Sequence, residues 1–204
     1  MYAVLELGGP NLYAYYVNQG IYASENKYEI VENIARAAAR ALNELHERAV
    51  IHLDIKAENF VIALQGDQRN LKDDPFSFKL IDFNTSVRGT DHVKAHTASI
   101  TKVIKAPEIR KNKKNYVNQK VDVWAFGIMI YGLLYNRFDD FNVLNNVNAR
   151  NDRDRYSRLD SELNYYRSNA TNTRLDFIIK RCIQEDANQR PHMYDILNYL
   201  NGEE

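Results

Sequence analysis

His52, Asp54, Lys56 and Asn59 stand at H-x-D-x-K-x-x-N spacing inside VIHLDIKAENFVI. Apolar residues flank the polar ones on both sides, so the pattern predicts a turn between two short strands. These side-chain types suit phosphoryl transfer. A carboxylate such as Asp54 can orient an attacking hydroxyl and accept its proton. A cation such as Lys56 can offset charge on the moving phosphoryl group, and the amide oxygen of Asn59 can ligate Mg²⁺. A plain polar turn fits the same four residues.

Two further segments bear on that choice. KLIDFN, from Lys79, ends an apolar strand on Asp82. A carboxylate there can hold the Mg²⁺ that bridges ATP phosphates, although most aspartates after strands are turn formers. Its place 28 residues after Asp54, past one hairpin, makes it informative. The third set is Ala106-Pro107-Glu108, then DVWAFG from Asp122, then Arg190. Glu108 and Arg190, both near helix boundaries, are expected to form a buried bidentate ion pair. Asp122 opens an apolar helix, and its carboxylate either caps that helix or accepts backbone N–H groups from the catalytic turn.

The elements that would position these groups follow from periodicity. Residues 2–7 read as a strand closed by a Gly8-Gly9-Pro10 turn, and residues 11–17 as a short helix. Over residues 27–47, Ile30, Ile34, Ala38, Ala41, Leu42 and Leu45 share one stripe of an amphipathic helix. Val50-Ile51, Phe60–Leu64 and Phe78–Ile81 read as short strands, with an exposed polar loop between the last two. VDVWAFGIMIYGLLY is apolar nearly all round and predicts a buried helix. Residues 143–167 read as solvated helix and loop. RLDFIIKRCI and PHMYDILNYL read as amphipathic helices, with Pro191 at a helix start. A little sheet followed by helices makes a mostly helical α+β unit.

Composition bounds the alternatives. The 204 residues suffice for one domain, and 45% hydrophobic with 26% charged content is ordinary for a globular chain. Lys+Arg and Asp+Glu are both 27, so no basic excess points to nucleic acid or a membrane surface. No apolar run approaches ~18 residues, so no membrane span is expected. The N-terminus lacks a signal-peptide pattern, and the one cysteine, Cys182, fits a reducing, intracellular compartment. Cys182 reads as a buried small hydrophobe, the many tyrosines as packing groups, and His46, His92, His96 and His192 as surface or structural residues rather than metal ligands.

The succession HLDIKAEN, DFN, APE, DVWAFG and a late arginine resembles the second half of the eukaryotic protein kinase fold. The resemblance implies a partial kinase domain over 1–204: residues 1–10 as the last small-lobe strand and hinge, 11–204 as the large lobe with a small catalytic-loop sheet. It implies Asp54 as catalytic base, Lys56 and Thr101 as its companions, and Asn59 and Asp82 as Mg²⁺ ligands. Leu5, Glu6, Gly8 and Val61 would line the adenine site of ATP, and 83–105 would be the activation segment. Lys56 and Thr101 favour the serine/threonine branch.

Three departures shape the expected function. The glycine-rich loop, the strand lysine and the helix glutamate of the small lobe have no counterpart in these residues. Position 53 holds Leu where many family members hold the arginine that meets an activation-segment phosphate, so phosphate-independent activity is expected. The metal-binding triplet reads DFN rather than DFG, which bears on the backbone freedom of that turn. The first expectation is a serine/threonine kinase lobe, acting on protein hydroxyls once a small lobe completes it. The alternative is a kinase-lobe mimic or pseudokinase that binds and modulates another kinase. A small-molecule phosphotransferase fits less well, because APE and DVWAFG resemble the protein-substrate half of the fold.

Overall fold

The protein is described by a computed structural model covering residues 7–63, 77–95, 105–111, 116–137 and 152–203, with backbone only at 152, 153 and 155. The expected strand at 2–7 lies outside these residues except for Leu7. The first strand, β1, is Gly8–Asn11, where a turn was expected from Gly8-Gly9-Pro10. It forms the outer strand of an antiparallel sheet of order β1-β3-β4, with β3 at Phe60–Ala63 and β4 at Phe78–Leu80. Gly8 pairs with Ala63 and Asn11 with Val61, so the register slips between them. An outer strand with such an irregularity tolerates Pro10, which has no N–H to give to a ladder.

Asn11 then caps α1 (Leu12–Asn18), its side chain accepting the Ala14 N–H at 2.8 Å. Next comes α2, Lys27–Glu47, on the residues that periodicity marked. Ile34, Ala38 and Leu42 of its stripe are fully buried, and Ile30, Ala41 and Leu45 pack partly buried against the same core. Small residues along this face let α2 lie close to α4 (Lys120–Tyr135) and α7 (Met193–Asn201). Two short pairings complete the β structure: β2 (Val50–Ile51) with β5 (Val87–Arg88), and β6 (Val93–Lys94) with β7 (Tyr116–Val117). The short helix α3, Pro107–Lys111, carries Glu108.

Every residue of α4 from Val121 to Leu133 is buried, as its all-round apolar sequence requires. Its neighbour α6 (Arg174–Cys182) comes so near that a Cβ on Gly127 would sit 2.5 Å from the Cβ of Cys182. Among the described residues, no helix is long and apolar enough to cross a membrane. Helix α7 begins at Met193 with His192 as its cap, so Pro191 stands before the helix rather than in its first turn. Asp195 explains the shift: its carboxylate accepts the His192 N–H at 2.8 Å and fixes the start there.

Two polar hubs bind these helices together. Arg190, at 2% exposure, gives all five of its N–H donors. Nη1 and Nη2 meet Glu108 Oε1 and Oε2 at 2.7 and 2.8 Å, and the remaining donors meet the carbonyls of Gln184, Lys120 and Glu185. The guanidinium also lies 5.1 Å from the centre of the Trp124 ring. The second hub is Asp176, whose carboxylate accepts from Tyr135, Tyr166, Thr171 and Thr173 between α4, α5 (Asp152–Asn169) and α6. Burial raises its pKa, but the four hydroxyl donors outweigh burial and the net shift is downward.

Each hub yields a prediction. Removing either member of the Glu108–Arg190 pair leaves a charge without its partner, and either single substitution to a neutral residue should cost about 3–5 kcal/mol. Glu108→Ala should fall at the lower end because its side chain remains 28% exposed. Urea denaturation of both single variants and the double variant should show strong coupling; additive losses would disprove the pairing. For Asp176, a carboxyl whose pKa falls on folding stabilises the fold above its unfolded value of about 3.9 and loses that contribution as pH drops toward the folded value. Asp176→Asn should therefore be less stable than the wild type at pH 7. It should also lose less stability on acidification below about pH 4, as followed by thermal melts across that range.

Candidate active site

The turn between β2 and β3 carries the H-x-D-x-K-x-x-N residues, and it is held from below by α4. Asp122 takes the second of its two expected roles. Its Oδ2 accepts the His52 N–H and its Oδ1 the Leu53 N–H, both at 2.8 Å. His46, from the end of α2, places Nε2 3.0 Å from the same Oδ2 and is structural, as expected. The anchored turn puts Leu53 at φ 71° with its side chain 3% exposed. A left-handed conformation is costly for a branched side chain, and the two charge-assisted hydrogen bonds offset that cost. A buried leucine offers no cation to a phosphate.

His52 ties the turn to the following hairpin. Its Nδ1 accepts the Asp54 N–H at 3.3 Å and its Nε2 lies 3.0 Å from the Ile81 carbonyl. Those two contacts suit the neutral ring with its proton on Nε2. The His52 carbonyl accepts from the hydroxyls of Thr85 and Ser86, both at 3.1 Å, and the ring packs 5.1 Å from that of Phe83.

Asp54 is 6% exposed and two donors share its Oδ2: Lys56 Nζ at 2.7 Å and Asn59 Nδ2 at 3.1 Å. Asn59 Nδ2 also donates to the Asp54 carbonyl at 2.7 Å, and Asn59 is itself buried. Asp54, Lys56 and Asn59 thus form one cluster. Strand register supplies the fourth member. Phe60 pairs with Leu80, and the Ile81 N–H reaches the Asn59 carbonyl at 3.0 Å. Asn59 and Asp82 are therefore brought to the same end of the β3–β4 hairpin.

Asp82 itself has φ 61° and leads into a 3-10 turn over Phe83–Thr85. Positive φ falls on Asp82, not on Asn84, so the residue that replaces the usual glycine needs no special backbone here. Its side chain acts instead: Asn84 Nδ2 donates to Asp82 Oδ1 at 2.8 Å. Sequence reasoning weighed Asn84 only for its backbone. A short amide two residues from an aspartate was the available signal for a local side-chain contact.

Gly8 and Val61 also come together. A Cβ on Gly8 would lie 2.3 Å from Val61 Cγ1, so only glycine allows β1 to sit this close to β3. Leu5, Glu6 and Thr101 lie outside the described residues.

The donor chemistry fits a magnesium ion. With Asn59 Nδ2 engaged by Asp54, its carbonyl oxygen is the atom that can serve as a hard ligand, and the exposed Asp82 can add a carboxylate. Mg²⁺ is commonly held by one or two carboxylates together with substrate phosphates rather than by an all-protein cage. Among the described residues no cluster of three or more His, Cys, Asp or Glu side chains forms such a cage.

A family model described as the protein kinase domain matches residues 1–200. The chain is 31% identical over 145 residues, 70% of its length, to protein kinase kin1 of Schizosaccharomyces pombe. It is 32% identical over 147 residues, 71% of its length, to CBL-interacting serine/threonine-protein kinase 26 of Arabidopsis thaliana. An Aurora kinase of Dictyostelium discoideum is 31% identical over 166 residues, 79% of this chain. These matches span 15%, 31% and 36% of the relatives' own lengths. With the catalytic-turn geometry and the match over residues 1–200 together, the chain belongs to the protein kinase domain family.

Proposed function

We propose that this chain is part of a serine/threonine protein kinase domain, with residues 1–10 as the last small-lobe strand and hinge and 11–204 as the large lobe, and that it transfers the ATP γ-phosphoryl group to protein hydroxyls when a small lobe completes it. The observation that carries this reading is the shared engagement of Asp54 by Lys56 and Asn59, next to a hairpin end that presents Asp82.

Each residue has a role in that reaction. Asp54 accepts the proton of the substrate hydroxyl as its oxygen attacks phosphorus and ADP departs. Asn59 and Lys56, both on Oδ2, fix the plane of that carboxylate. Lys56, 30% exposed at its side chain, also lies where it offsets charge on the transferring group. Asn59 Oδ1 and Asp82 would hold Mg²⁺, which when bound would neutralise the phosphate oxygens and align them. Gly8 and Val61 would form part of the adenine surface, with Leu5 and Glu6 beside them. Thr101 would approach Asp54 and Lys56. An intracellular location fits a reaction that consumes ATP and a single cysteine that is buried and unpaired.

Exposed apolar groups favour a second reading, in which the chain pairs with another kinase and modulates it. Leu7, Ile81 and Phe83 are 79%, 43% and 47% exposed. Ile81 and Phe83 flank Asp82, so apolar surface borders the candidate site, and such surface commonly marks a contact region.

Two measurements test these readings. In the lobe joined to a small lobe, Asp54→Asn should lower peptide phosphorylation by roughly two or more orders of magnitude while ATP affinity changes little. Unchanged turnover would remove Asp54 from the mechanism. The 204-residue chain alone should turn over ATP poorly and should self-associate or bind a separate kinase domain in light scattering. A monodisperse monomer phosphorylating protein at ordinary kinase rates would overturn that expectation.

A further inference from the structure

We propose that Asn84 is a positioning residue that biases Asp82 toward binding metal through one oxygen, and so favours Mg²⁺ over a larger cation in the nucleotide complex. The inference rests on the reading that Asp82 is a metal ligand. Asn84 Nδ2 donates to Asp82 Oδ1 at 2.8 Å. That hydrogen bond withdraws charge from Oδ1 and stops the carboxylate from rotating, which makes Oδ2 the stronger donor to a cation.

The contact is held from both sides. The 3-10 turn that carries Asn84 is closed by the Ser86 N–H on the Phe83 carbonyl at 3.0 Å. Thr85 and Ser86 both donate to the His52 carbonyl, and Phe83 packs against the His52 ring. Upstream, Asp82 has its backbone fixed at φ 61° directly after an Ile81 that bonds Asn59 and His52. Asn84 therefore approaches Oδ1 from an anchored backbone, and a glycine at that position has no side chain with which to do so.

One engaged oxygen has a selective consequence. Mg²⁺ requires near-octahedral geometry at about 2.0–2.1 Å and accepts single-oxygen carboxylate ligands readily. Ca²⁺, at about 2.3–2.6 Å with higher coordination numbers, takes both oxygens of a carboxylate more often. A donor on Oδ1 penalises the second mode more than the first.

The experiment is calorimetric titration of the whole chain with ATP in Mg²⁺, in Ca²⁺ and in EDTA, for the wild type, Asn84→Ala, Asn84→Gly and Asp82→Ala, with a melting temperature for each. Alanine suits the turn because Asn84 has no positive φ, and the glycine variant covers a failure of the alanine variant to fold. Both Asn84 variants should weaken Mg·ATP binding about three- to tenfold, change Ca·ATP binding less than about twofold, and leave metal-free ATP binding unaltered. If Asp82→Ala abolishes the Mg²⁺-dependent gain while the Asn84 variants keep the wild-type Mg²⁺/Ca²⁺ ratio, or lose affinity equally in all three media, the positioning role is wrong and the metal site stands. If the wild type gains nothing from Mg²⁺, or Asp82→Ala keeps the gain, the metal-site reading and this inference fall together.

Discussion

The Asp122 carboxylate is the constraint on which the site depends. A turn that carries Asp54, Lys56 and Asn59 must leave β2 in one sheet and enter β3 in another within eight residues, and it does so by driving Leu53 into the left-handed region. Nothing in the leucine side chain favours that. The energy comes from a buried anion with both oxygens occupied by the backbone of the turn and by His46. Because Asp122 belongs to a helix buried along nearly its whole length, the turn inherits the rigidity of the core. The candidate residues thus sit on a loop, but the loop is bolted to a helix buried from Val121 to Leu133.

Arg190 plays the corresponding part for the helices around α3. It joins the start of α4, the short α3 and the segment before α7 through five donors, none of which is left for solvent. Satisfying a fully buried guanidinium this way avoids the penalty that makes buried ions a liability, and it needs Glu108 at one distance and no other. The orientation of α3 follows from that requirement.

Much of this was legible in sequence because the informative residues are those with few physical substitutes. Asp54, Asn59 and Asp82 could be singled out only together, since each alone suits a plain turn while their order and spacing across one hairpin is far more restrictive. The Glu108–Arg190 pair could be foreseen from two complementary charges at helix boundaries, and the burial of α4 from its apolar circumference. Local backbone outcomes were harder. Gly8-Gly9-Pro10 carries turn chemistry, yet tertiary pairing with β3 turned it into an irregular outer strand. Pro191 suited a first helical turn, yet the bond from His192 to Asp195 started α7 two residues later. Asn84 was weighed for the φ it permits, when its amide was the working part. In the first case a contact outside the local window decided the result, in the second a bond between backbone and side chain, and in the third a local bond between two side chains.

The approach of Gly127 to Cys182 has a practical side. The thiol is wholly buried, that burial drives its pKa up and so disfavours the thiolate, and its Cβ lies so close to Gly127 that α4 has no room there for even one added carbon. An alkylating reagent can reach the sulfur only when α6 separates from α4. As the sole cysteine of the chain, it makes thiol labelling a single-site clock for opening of the α4–α6 seam. Its rate, read by mass spectrometry, would report local or global unfolding of this lobe without any introduced probe.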